Sequence, residues 1–128
     1  MSNREELIHK AREAKEKAYA PYSKFKVGAA LKTKDGDIFT GCNVENVSYG
    51  FAMCAERVAV FKAISEGHTE FDSIAISSSS KKPTFPCGGC RQVLSEFGNV
   101  KIFLDGSDKD YDLGDLLPHS FEKTQLFG

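Results

Sequence analysis

The chain carries no charge excess. Lys and Arg total 17 and Asp and Glu 18, a net charge of -1 over 128 residues. Proteins that grip nucleic acid show a basic surplus or stripe, so a polyanionic partner is not expected. Long hydrophobic runs are missing as well: no stretch approaches the roughly 20 apolar residues of a membrane-spanning helix. An apolar leader is also lacking, because Ser2 to Lys17 is densely charged, unlike a secretory signal. No repeat, linker or composition shift divides the sequence, and its length suits a single domain over residues 1–128. The one biased stretch, Ser77 to Lys82, reads as an exposed loop. These absences point to the cytoplasm, where thiols stay reduced. The four cysteines are therefore metal ligands, redox centres or core residues before they are disulfides.

What is present is a succession of short periodic segments. Ser2 and Glu5 form a capping box, and Leu7, Ala11, Ala14 and Ala18 repeat at helical spacing up to a stop at Pro21. Lys26 to Thr33 reads as a strand, Asp35-Gly36 as a hairpin turn, and Ile38 to Val44 as the returning strand. Glu45 to Gly50 is a polar loop. Cys54 to Glu66 is helical, with Val58, Phe61 and Ala63 to Ile64 toward the core and Gly67 as terminator. Ser73 to Ser77 is a strand, Cys87 to Phe97 a helix stopped by Gly98, and Val100 to Leu104 a strand. An edge strand near Tyr111 and a helical turn over Leu113 to Leu117 follow. A hairpin followed by strand–helix–strand alternation predicts an α/β fold: a three-layer α/β/α sandwich around a mixed sheet of about five strands.

Two clusters stand where a loop enters a predicted helix: Cys54-Ala55-Glu56, and Pro86-Cys87-Gly88-Gly89-Cys90. A helix start offers unpaired N–H groups and a positive dipole end, which lowers a thiol's pKa and favours metal binding. Two such starts brought together make a three-thiolate pocket. Three protein ligands and an open fourth position are the arrangement of a catalytic zinc, and tetrahedral thiolate sites favour zinc among the thiophilic ions. Glu56 is the candidate base for a water held there. Spacing alone leaves other readings open. Cys87-x-x-Cys90 also fits a thioredoxin-type redox pair. Glu56 alone could pair with Lys62 on a solvated helix face. Cys42 could complete a closed four-cysteine site, although a small buried strand residue is the usual fate of a free cysteine.

The paired motifs resemble the small zinc-dependent cytidine deaminases that act on free nucleosides, whose known signature is His or Cys, any residue, Glu, then Pro-Cys-x-x-Cys. The likeness spans nearly the whole chain. It includes Asn43-Val44-Glu45-Asn46, Ser48-Tyr49-Gly50, Cys54-Ala55-Glu56-Arg57, Pro86 through Arg91-Gln92, and Leu116-Leu117-Pro118. The resemblance implies one Zn²⁺ per subunit on Cys54, Cys87 and Cys90. It also implies attack of the activated water on ring carbon 4, with Glu56 moving protons to ring nitrogen 3 and then to the departing amine. Cytidine and deoxycytidine would become uridine and deoxyuridine plus ammonia, in pyrimidine salvage. By the same resemblance Asn43 and Glu45 bind the ribose 3′-hydroxyl, Phe25 packs on the pyrimidine, and Ala55 also contacts substrate. Family members are commonly homotetramers, in which Tyr49 and Phe121 match residues reaching a neighbour's site. Cys42 is left as a core residue, and the histidines (His9, His68, His119) as surface residues.

Three thiolates and one Zn²⁺ sum to -1, which opposes ionisation of a bound water, so compensating positive groups are expected. The helix N-termini contribute, and Arg57 and Gln92 are placed to donate to ligand sulfurs, as the matching residues do in the family. Three other functions compete. One is deamination of a cytosine-nucleoside antibiotic, whose enzymes share the zinc motifs. Another is polynucleotide editing, which the balanced charge disfavours. The third is a non-catalytic zinc module, for which Glu56 would be dispensable.

Overall fold

The computed structural model describes residues 1–127. Helix α1 (Asn3–Lys15) starts at Ser2, whose hydroxyl accepts from the Glu5 N–H at 3.2 Å. Leu7, Ile8, Ala11 and Ala14 form its buried face. The helix ends well before Pro21, contrary to the expectation from sequence. The reason is tertiary: Tyr19 leaves the helix to bridge the segment after the second strand, its N–H donating to the Asn43 carbonyl and its own carbonyl accepting from the Glu45 N–H. Ala18 therefore does not extend the apolar face.

Strands β1 (Val27–Thr33), β2 (Ile38–Cys42), β3 (Phe71–Ser78), β4 (Lys101–Leu104) and β5 (Tyr111–Asp112) form one sheet in the order β2-β1-β3-β4-β5. β1 runs antiparallel to β2 and β3, β3 parallel to β4, and β4 antiparallel to β5. The β1–β2 turn places Gly36 at φ 95°, a left-handed conformation that glycine adopts without steric cost.

The central strands are buried on both faces, and alternate residues divide between two cores as a period of two requires. Ala30, Ala75 and Phe103 pack with Leu7, Ile8 and Ala11 of α1 on one side. Ala29, Leu31, Ile74, Ile76, Ile102 and Leu104 pack on the other, against α2 (Ala55–Ser65) and α3 (Gly88–Ser95). This is the expected α/β/α sandwich with five strands. Two glycines set how closely the layers approach. A Cβ on Gly28 would lie 2.1 Å from the Ala11 carbonyl oxygen of α1, and one on Gly41 would lie 2.5 Å from the Ala55 oxygen of α2.

α2 buries Ala55, Glu56, Ala59, Val60 and Ala63; of the residues expected in the core, Ala63 and Ile64 pack there, Val58 is half-buried beside Gly41, and Phe61 is 45% exposed. With no side chain at Gly41, the α2 backbone at Ala55 and Ala59 comes close to β2, and Phe61 is left on the outer side of the helix. Ser77 belongs to β3, not to a loop: it is buried, and its hydroxyl donates to Asp105 at 2.8 Å. His68 is only partly exposed, with its ring nitrogens 3.4 Å and 3.3 Å from carboxylate oxygens of Asp35 and Asp37. A single 3-10 turn at Tyr49–Phe51 and two short C-terminal helices, α4 (Leu113–Leu116) and α5 (Thr124–Phe127), complete the chain. The first and last of these have too little periodicity to be read from sequence.

Candidate active site

Cys54 is the N-cap of α2 and Cys87 the N-cap of α3, whose first turn contains the buried Cys90. The two helices lie side by side on one face of the sheet, so both positive ends meet at one place. The Sγ atoms of Cys54 and Cys87 are 3.7 Å apart and those of Cys87 and Cys90 3.3 Å apart, and all three lie within 4.8 Å of one another. Sulfurs held tetrahedrally at the usual zinc–sulfur distance are separated by roughly 3.8 Å, so the donor set fits a zinc ion.

The electrostatics agree. Cys54 accepts from the Cys90 thiol and from Arg57, and these contacts hold its pKa down to about 5. Cys90, the donor in that pair and buried, is pushed up. Arg57 Nη2 lies 3.3 Å from Cys54 Sγ, and its Nε is buried without a partner. The sulfurs of Cys54 and Cys90 favour the charged guanidinium and raise its pKa. Cys42 lies on β2, half-buried, outside the sulfur group; it is less enclosed than a core residue.

Glu56, one residue into α2, is 5% exposed. Lys62, its alternative partner, donates instead to the Thr40 carbonyl. Burial, with Cys54 nearby, raises the Glu56 carboxyl above the usual range, the direction a proton-transfer group at neutral pH requires. Cys54, Ala55, Glu56 and Cys87 share a cavity of about 300 Å³ with Phe25, Asn43 and Glu45.

Asn43 and Glu45 are also tied to the loop that carries Phe25. Asn43 donates to the Phe25 carbonyl at 2.8 Å and accepts from the Val27 N–H at 2.9 Å. An Asn amide has two donors and two lone pairs, so one of each stays available to a ligand. Glu45 accepts from the N–H groups of Tyr22 and Ser23 and from the Ser23 hydroxyl, and these bonds, that of Ser23 foremost, lower its pKa. The carboxylate remains ionised and keeps a lone-pair site for a further donor.

Three expected residues lie elsewhere. Tyr49 packs edge-on against Tyr22 at 6.4 Å and lines a neighbouring depression of about 330 Å³ that shares Glu45 and Ala52 with the first cavity. Phe121 lies in another depression, beside Ser95 to Gly98. Gln92 does not donate to a sulfur: its amide bonds the Phe121 carbonyl at 2.9 Å, because the C-terminal segment folds back across α3 and occupies it. Thr84 and Phe85 line the metal cavity unannounced by any motif; their position just ahead of Pro86-Cys87 was the available signal.

Residues 1–105 match the family model described as the cytidine and deoxycytidylate deaminase zinc-binding region. The chain is 45% identical over 127 residues to a cytidine deaminase of Sporosarcina psychrophila, covering 95% of this chain and 93% of that one. It is 46% identical over 129 residues to one of Halalkalibacterium halodurans, covering 97% and 98%. The crystal structure of a cytidine deaminase from Burkholderia pseudomallei superposes with a TM-score of 0.88 at 49% identity, covering 94% of this chain and all of that one. A blasticidin-S deaminase of Bacillus cereus is more distant, 29% identical over 113 residues. The chain belongs to the zinc-binding cytidine and deoxycytidylate deaminase family.

Proposed function

We propose that this protein is a zinc-dependent cytidine deaminase that converts cytidine and deoxycytidine to uridine and deoxyuridine with release of ammonia. The observation that carries the reading is the shared cavity. Cys54 and Cys87, whose sulfurs group with that of the buried Cys90, line it together with a buried carboxyl, an aromatic ring and two polar side chains with spare bonding capacity. Cys54, Cys87 and Cys90 would hold the zinc, which when bound supplies a water acidified enough to act as nucleophile at neutral pH. Glu56 accepts a proton from the attacking water and delivers it to ring nitrogen 3, then takes the second proton from the same oxygen and passes it to the leaving amine, so that ammonia departs from ring carbon 4. Burial suits Glu56 to both directions of transfer. Phe25 packs on the pyrimidine, Ala55 contacts the base, and Asn43 and Glu45 take the 3′-hydroxyl that both sugars carry. A site built for a sugar hydroxyl rejects a substrate lacking it, so free cytosine is a poor substrate.

The active assembly is a homotetramer in which Tyr49 and Phe121 reach a neighbouring copy's site. Support comes from the large side chains left open beside the cavities: Val47 and Tyr49 are each 78% exposed and Phe51 79%. A single domain is enough for each subunit, and the setting is nucleoside salvage in the cytoplasm, where the ligand thiols stay reduced. The test is the loss of ultraviolet absorbance on adding cytidine, for wild type and Glu56→Gln, with zinc measured on both. The reading expects wild-type turnover and a loss of about 10²–10⁴-fold in the variant at unchanged zinc content. Equal turnover by both proteins would exclude Glu56 from the chemistry. Wild-type inactivity on cytidine with activity on blasticidin S would favour the antibiotic reading.

A further inference from the structure

Of the three sulfur-bearing residues, Cys87 has the least packing to hold it. Cys90 is fully buried and Cys54 half-buried, but Cys87 is exposed. It is followed by Gly88, around which a Cβ would find nothing within 4 Å. Cys87 nevertheless has a defined backbone, φ -66° and ψ 166°. Its sulfur accepts from the Cys90 N–H at 3.4 Å, and the bonds to its two flanking peptides converge on one residue. Arg91 Nε donates to the Pro86 carbonyl at 2.8 Å, and the Arg91 backbone N–H donates to the Cys87 carbonyl at 3.0 Å. Those carbonyls belong to the two peptide planes that flank the Cys87 α-carbon; the second bond is the ordinary first turn of α3, and the first is supplied by the arginine side chain alone. Its remaining arm, Nη1, donates to the Leu116 carbonyl at 2.8 Å, at the C-terminal end of α4, where helical carbonyls lack intrahelical partners.

We propose that Arg91 is a positioning residue of the metal centre. Its guanidinium locks the peptide before Cys87 and docks it onto α4, so that the Cys87 sulfur is pre-placed against Cys54 and Cys90. The proposal rests on the reading of these three cysteines as zinc ligands. A guanidinium does this because it is planar and donates in two directions at once; the single ammonium of a lysine cannot reproduce that fork. The neighbouring Gln92 bond to Phe121 ties the same helix to the C-terminal segment further along, but touches neither peptide of Cys87.

The test compares wild type, Arg91→Lys and Arg91→Ala. Zinc affinity is read by competition with a chromophoric chelator, and melting temperature is read with and without zinc. Both variants should bind zinc about 10–100-fold more weakly, the usual cost of losing a group that orients a ligand. The rise in melting temperature on adding zinc should shrink accordingly, and kcat should fall with KM for cytidine unchanged. In cobalt-substituted protein the thiolate-to-metal absorption should weaken or shift. A purely structural arginine would lower the zinc-free and zinc-loaded melting points equally and leave affinity and spectrum as in wild type. That result in Arg91→Lys, which keeps the charge and most of the packing if Arg91→Ala fails to fold, overturns the proposal. A wild-type protein that takes up no zinc overturns the ligand reading and this proposal with it.

Discussion

Replacing Gly41 by alanine should damage the active site from the far side of α2. The added Cβ would sit 2.5 Å from the Ala55 carbonyl oxygen and 2.6 Å from the Ala59 nitrogen. Both are backbone atoms, so no side chain can swing away. Relief requires α2 to lift from β2 by at least about 0.5 Å to reach 3.0 Å, closer than which Cβ contacts essentially do not occur. The atoms displaced are the first carbonyl of α2 and the nitrogen one turn further on; Cys54 caps that turn and Glu56 lies in it, whereas Cys87 and Cys90 on α3 would stay behind. Overpacking of this kind costs about 1–3 kcal/mol, and each kcal/mol lowers the melting temperature of a chain this size by roughly 3–6 °C. A misplacement approaching 1 Å at the reacting groups costs up to about 10²-fold in rate. Gly28→Ala is the internal control. Its Cβ would strike Ala11 and Lys15 of α1 at 2.1 Å and 2.4 Å, a harsher clash, but on the opposite face of the sheet. The expectation is a melting temperature at least as depressed in Gly28→Ala, with turnover per folded molecule preserved there and lost in Gly41→Ala. The assays are thermal melting followed by circular dichroism and cytidine turnover below both midpoints. Equal turnover in the two variants would refute the claim that Gly41 sets the height of the catalytic helix.

Three further outcomes are expected. Arg57→Ala removes a hydrogen bond to the Cys54 sulfur, worth about 1.5–3 kcal/mol when one partner is charged, and should weaken zinc binding by roughly 10–100-fold in chelator competition. Glu45→Gln should raise KM for cytidine more than it lowers kcat, and should leave the slow turnover of free cytosine unchanged; a pure kcat effect would contradict the sugar role. Asp105, bonded by the Arg12 guanidinium at 2.7 Å and by Ser77, has its carboxyl lowered, chiefly by Arg12. A folded-state pKa below the unfolded value contributes stability above the unfolded value and loses it as pH falls through the folded one. Asp105→Asn should therefore melt below wild type at neutral pH, and the gap should close as pH falls below about 4. A gap that stays constant from neutral pH down to about pH 2.5 would count against this linkage.

Much of the fold was legible because its signals are local. The Ser2 cap, the Asp35-Gly36 turn and the glycine stops at Gly67 and Gly98 each depend on residues a few positions apart, and α1, the β1–β2 hairpin, α2 and α3 begin or end beside them. The site's sulfurs were legible for a different reason: Cys54, Cys87 and Cys90 occur in a paired motif whose spacing is tied to the chemistry. On α2 the pattern placed Ala63 and Ile64 correctly but also Phe61, which looks like a core residue until Gly41 brings the helix backbone down onto the sheet and leaves that ring outside. Gln92 was read as a partner for sulfur, but the returning C-terminal segment claimed its amide. The bonds from Asn43 to Phe25 and Val27, from Glu45 to Ser23, and from Arg91 to Pro86 and Leu116 had no sequence signature. The sequence by itself determined which elements form and which groups can do the chemistry, since helix caps, turns and thiolate spacing are short-range. The tertiary structure alone decided which face each helix buries, which donors reach the sulfurs and what holds Cys87 in place. Those outcomes depend on how closely distant backbones approach, and no local pattern encodes that distance.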